Sequence, residues 1–203
     1  MKTRFYIALT AAAVLTALLV PLAVCLRGGL WITLATTAGT TLYHLLMRLA
    51  VGFCLEKAMT SCKNVNFEGH WFREHKWEAR MYRLLRVRKW ARRVPTFKPE
   101  QFDVRTHTTK ELVLQTCLSE LVHEVIVVLG FASLLFCFAF EDPLANLAPF
   151  LITAILAGLY DLQFVILQRY HRPQLLRLMQ RQELREQNKT PQMPAGEVRQ
   201  ETK

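Results

Sequence analysis

Apolar residues do not alternate along this chain; they come in four long runs separated by polar sequence. Residues 5–26, 30–53, 121–140 and 144–167 are almost wholly apolar, and each is long enough to cross a bilayer at about 20 residues per helical crossing. The pattern predicts an all-α integral membrane protein with four transmembrane helices. Ahead of the third run, Thr108 and Glu111 have the spacing of a capping box, so a helix starts there with two otherwise orphaned N–H groups satisfied. No proline lies between Thr108 and Pro143. One helix of about 30 residues is therefore expected, some way longer than the roughly 30 Å hydrocarbon core. About three turns of it stand outside the hydrocarbon, which places Glu120, His123 and Glu124 at the membrane boundary.

Between the second and third runs lies a basic connection, residues 54–120, whose centre reads H-W-F-R-E-H-K-W-E-A-R-M-Y-R-L-L-R-V-R-K-W-A-R-R-V-P. Trp77, Met81, Leu84, Val87, Trp90 and Val94 recur at helical spacing, with Arg73, Lys76, Arg80, Arg83 and Arg93 around them. The spacing predicts an amphipathic helix over 71–94, ended by Pro95 and lying in the headgroup plane against anionic lipid. A solvated basic helix that only anchors the loop is the plainer alternative. Residues 1–180 are expected to form one membrane domain, and 181–203 a polar, disordered tail without apolar period.

Composition sharpens this picture through charge. The chain has 203 residues, is 52% hydrophobic and carries a formal charge of +10. The cations flank the apolar runs, in the connection, the tail and at Lys2 and Arg4, so the positive-inside rule accounts for them and no nucleic acid is implied. The expected location is the cell membrane, multi-pass, with both termini cytoplasmic. A cleaved signal peptide is the other reading of the first run, but no A-x-A site follows it and its length favours a retained helix. Five scattered cysteines form no C-x-x-C pair. Neither a phosphate loop nor a nucleophile-elbow motif is present, and no cofactor is expected.

Polar residues inside apolar runs carry the candidate chemistry, because each is costly there. Thr37, Thr41, His44 and Arg48 share one helical face; His44 serves either as interhelical glue or in a site, and Arg48 is near enough to the end to snorkel. Asp161 in the fourth run needs a partner, for which Arg48 and His44 are the candidates. Glu120 and His123 share a face with Thr116 one turn earlier. Glu78, with Tyr82 one turn on, sits beside an apolar stripe that has no packing need for a carboxylate.

Three stretches in order, Trp77 to Pro95, Gln115 to Glu124 and Leu162 to Leu175, resemble the glycosyl-4,4'-diaponeurosporenoate acyltransferase family, small bacterial membrane proteins that esterify a fatty acid onto the sugar of a carotenoid glycoside. The resemblance covers about half the chain and rests on W-x-x-x-x-P (Trp90 to Pro95), E-x-x-H (Glu120 to His123) and Q-R-Y-x-R-P (Gln168 to Pro173). Gln115, Leu118 and Gln163 depart from the family pattern.

What the resemblance implies is an O-acyltransferase, with a membrane lipid environment, an acyl thioester or lipid as acyl donor and a glycosylated lipid as acceptor. Glu78, Glu120, His123, Gln168 and Arg172 are then expected to meet in one polar cavity under the interfacial helix. His123 is the expected general base, oriented by Glu120, with Glu78 as a further catalytic carboxylate. Tyr82, Trp90, Gln168, Arg169, Tyr170 and Arg172 are the substrate-binding residues it implies, and the polar positions of the spans add His44, Arg48 and Asp161 to the expected set. Arg169 and Arg172 suit an oxyanion or a donor phosphate, and equally suit plain anchoring. A membrane scaffold without catalysis is the main alternative, and Glu78, Glu120 and His123 as metal ligands the remaining one.

Overall fold

The computed structural model describes residues 2–61, 69–94 and 99–189, and among them there is no strand. Four helices are long and apolar enough to cross a membrane. They are α1 (Lys2–Leu26), α2 (Gly29–Ser61), α5 (Thr109–Ala132) and α6 (Pro143–Lys189), with the short helices α3 (Glu78–Leu84) and α4 (Val87–Trp90) between the second and third.

Local sequence explains the joints. Arg27 adopts a left-handed φ of 47° ahead of Gly28 and turns α1 back along α2. At the start of α5 the capping box forms as its spacing predicts: the Glu111 N–H donates to Thr108 Oγ1 at 3.3 Å and the Thr108 N–H to Glu111 Oε2 at 2.7 Å. After Ala132 the chain tightens into a 3-10 segment, Ser133–Ala139, that packs along α6. Asp142 Oδ1 then accepts the Leu144 and Ala145 N–H groups, each at 3.1 Å, which caps α6. Helix α5 lies along α6, α1 along α2, and α2 against both α5 and α6. Gly158 permits the α5–α6 approach, since a Cβ there would stand 3.1 Å from Phe131 Cε2. Helix α1 buries only Ala12. Such exposure of apolar side chains would be an aggregation liability in water, whereas in lipid it is ordinary.

Two predicted elements are corrected. The segment 71–94 is not one helix but a 3-10 turn (His70–Phe72), an extended stretch, α3, α4 and a second 3-10 turn (Ala91–Arg93). Helical period cannot survive here, because Arg86 stands in the left-handed region at φ 49° and the Trp71 and Phe72 carbonyls are taken by arginines of α6. The buried face is also different: Glu78, Tyr82, Val87 and Ala91 turn inward while Trp77 and Leu84 are exposed. Pro95, its expected stop, lies outside the described residues. The tail is the second correction, since α6 continues unbroken to Lys189. Its polar side chains are good helix formers, and Thr109 Oγ1 donates to Gln182 Oε1 at 2.7 Å. Residues 190–203 lie outside the described part of the chain.

Candidate active site

Helix α6 presents its polar residues toward α5 on one face, and two separate clusters result. Near the basic connection, Arg169 donates from Nη1 to Glu78 Oε1 and from Nε to Glu120 Oε1, both at 2.6 Å. Its Nη2 reaches the Trp71 carbonyl at 2.8 Å. Arg172, three residues on, pairs through Nη2 with Glu120 Oε2, and donates from Nε to Thr116 Oγ1 at 3.3 Å and from Nη1 to the Phe72 carbonyl at 3.2 Å. Tyr82 donates to Glu78 Oε2 at 2.6 Å. Burial, reinforced by that hydrogen bond to a carboxylate, holds the Tyr82 phenol well above the usual tyrosine range, so it stays a donor. Two carboxylates, 1% and 0% exposed, are thus neutralised by two guanidinium groups.

Beside this lattice opens a cleft of about 390 Å³, lined by Phe72, Arg73, Glu74, Glu78, Arg169 and Arg172 among others. Tyr170 packs edge-on against Tyr82 with ring centroids 5.4 Å apart. Trp90 belongs to the apolar cluster of Tyr82, Val87, Ala91 and Leu167, and its indole N–H donates to the Leu85 carbonyl at 3.0 Å. Gln168 is buried.

The second cluster is centred on Asp161, which is 1% exposed. Arg48 of α2 pairs with it through Nη2 and lies 3.4 Å from Oδ1 through Nε. His123 Nδ1 stands 3.1 Å from the same Oδ1. The His123 ring is stacked on Phe164, centroids 4.6 Å apart and planes 8° from parallel. No described residue bonds to its Nε2. A neutral His123 ring that donates Nδ1–H to this carboxylate carries its lone pair on Nε2.

Several expectations are corrected by this geometry. Glu120 does not orient His123, although the two share a helical neighbourhood; Arg169 and Arg172 claim both oxygens of Glu120, and Asp161 takes the imidazole. The single cavity divides in two, with Glu78, Glu120 and Arg172 in one cluster and His123 in the other. Arg48 does not snorkel, because a buried carboxylate holds it. On α2 the inward stripe is Thr36, Thr40 and His44, whereas Thr37 and Thr41 are exposed; each threonine bonds the carbonyl four residues back and needs no partner elsewhere. Glu124 accepts the Trp71 indole N–H at 3.0 Å. Among the described residues no three His, Cys, Asp or Glu side chains group as metal ligands.

A family model described as glycosyl-4,4'-diaponeurosporenoate acyltransferase matches residues 68–181, which hold both clusters except for Arg48. No curated protein and no solved structure is found to match the chain.

Proposed function

Because this chain belongs to the glycosyl-4,4'-diaponeurosporenoate acyltransferase family, we propose that it esterifies a fatty acyl group onto a hydroxyl of a glycosylated lipid or carotenoid at the cytoplasmic face of the cell membrane. The observation that carries the reading is the His123–Asp161 pair, a base with one nitrogen fixed and the other free, at 3.1 Å. In the reaction His123 Nε2 takes the proton of the acceptor hydroxyl as its oxygen attacks the acyl carbonyl carbon. Asp161, itself held by Arg48, stabilises the imidazolium. Collapse of the tetrahedral intermediate breaks the bond to the donor's thiolate or alkoxide, and His123 returns its proton to that leaving group.

In this reading the basic connection and both termini face the cytoplasm, as the asymmetry of Lys and Arg around the spans requires. The Glu78–Arg169–Glu120–Arg172 lattice fixes the connection on α5 and α6, and its cleft receives the acyl donor. A scaffold without catalysis expects these side chains to diverge to different surfaces; instead they turn inward, in two clusters of which the His123–Asp161 one carries the reaction. The test is ester formation by the purified chain from an acyl thioester and a long-chain glycoside. No ester above the protein-free rate with any acyl donor overturns the proposal.

A further inference from the structure

His44 is the buried polar group this chemistry leaves unused. It is 3% exposed, and neither ring nitrogen has a hydrogen-bond partner among the described residues. An unpaired imidazole at that depth is costly, since no lipid group can replace the missing bonds and an apolar side chain of similar volume would fill the same space. Buried polar groups are otherwise nearly always satisfied, so an exception calls for an absent partner.

The surroundings say what that partner is. The ring packs against Gly130 of α5, where a Cβ would stand 3.5 Å from His44 Cε1 and 3.7 Å from Nδ1, and the Tyr43 ring lies edge-on to it at 5.5 Å. One turn along α2, Arg48 donates from Nη1 to the His44 carbonyl at 3.3 Å and joins Asp161, which joins His123. The Tyr160 ring lies under Arg48 at 5.6 Å and edge-on to Phe164 at 5.3 Å. Arg48 and Asp161 cancel in charge, so the cluster offers donors, acceptors and ring faces without a net field for an anion. A neutral imidazole has one donor and one acceptor, and a hydroxyl supplies the complement of both. His44 and Arg48 also lie outside the residues the family model matches, so membership assigns them nothing.

We infer that His44, with Arg48 and His123, binds the hydroxyl-bearing head of a neutral glycolipid that enters from the apolar layer, His44 accepting from one hydroxyl and donating to another. The inference rests on the acyl-transfer reading for what happens next to that head group, but binding is read without turnover.

The experiment uses the full chain in lipid nanodiscs, titrated with a long-chain alkyl glucoside or with an alkyl phosphocholine of the same chain length, with unfolding temperature as the readout. The glucoside should stabilise the wild type, its apparent affinity should weaken by at least about tenfold in His44→Leu, and it should stay within about threefold in His44→Gln, which keeps a donor and an acceptor. Without probe, His44→Leu should unfold at the same temperature or higher, because the unpaired group is gone. An equal glucoside response in wild type and His44→Leu overturns the inference, a buried water being the occupant then. An equal response to the phosphocholine also overturns it, because the chain and not the head is then recognised. Lower unfolding temperatures in both His44 variants do so as well. Absence of ester formation by a wild type that binds glucoside through His44 would sink the reaction and leave this site standing.

Discussion

Arg169 and Glu120 meet at 2.6 Å with the carboxylate fully withdrawn from solvent, and the same guanidinium holds Glu78 at 2.6 Å on its other edge. One planar fork thus ties α3 to α5 through α6, a task for which lysine, a point charge, has the wrong geometry.

Removing that fork leaves Glu120 with Arg172 alone and Glu78 with the Tyr82 hydroxyl and no countercharge among the described residues. Arg169→Ala should destabilise the fold by about 3–5 kcal/mol, the usual cost of an uncompensated buried charge, and Arg169→Lys should recover only part of it. Thermal unfolding of the purified variants reads both, and a loss under about 1 kcal/mol in Arg169→Ala would place the pair among exposed bridges of small worth.

Tyr82→Phe tests the same lattice more gently. It removes the donor to Glu78 Oε2 and should cost about 1.5–3 kcal/mol, the worth of a hydrogen bond to a charged group. An unchanged unfolding temperature would show that Glu78 needs only Arg169.

The catalytic assignment predicts opposite signatures for two neighbours on α5. His123→Gln should lower ester formation per folded molecule by roughly a hundredfold to ten-thousandfold, the range for general acid–base catalysis, with little change in stability. Glu120→Gln should lower stability and leave the specific activity of the surviving protein within about threefold, because Glu120 bonds arginines and not the imidazole. Comparable rate losses in both would return Glu120 to the reaction centre.

Leu84 is 81% exposed, and Val87, three residues later, is 0% exposed. Spin labels at the two positions in lipid vesicles should therefore separate, with the Leu84 label colliding with an apolar relaxant and the Val87 label immobile and inaccessible. Equal accessibility would remove the lipid contact of the α3–α4 turn.

Topology is tested at Cys25, exposed at the end of α1 and beside Arg27. In intact cells a membrane-impermeant maleimide should label a variant with Cys25 as its sole cysteine. Labelling only after lysis would reverse the orientation.

The sequence by itself determined the helical class, the four apolar helices and the start of α5. Those features are local: run length sets whether a helix can cross, and a capping box is made by residues three apart. It also singled out Asp161 as needing a partner, with Arg48 and His44 as the candidates, because a carboxylate in an apolar run must be paired at its own depth; the structure chose Arg48. What only the tertiary structure decided is who meets whom across helices. Glu120 and His123 are three apart on α5, yet one turns to Arg169 and Arg172 and the other to Asp161, since the positions of α6 and not spacing along α5 set the nearest opposite charge. The connection reads as one amphipathic helix, yet the left-handed Arg86 and the capture of two backbone carbonyls by α6 break it. Charge pairing in a low-dielectric interior outweighs the modest preference of an exposed stripe for helix, and no single segment contains both halves of such a pair.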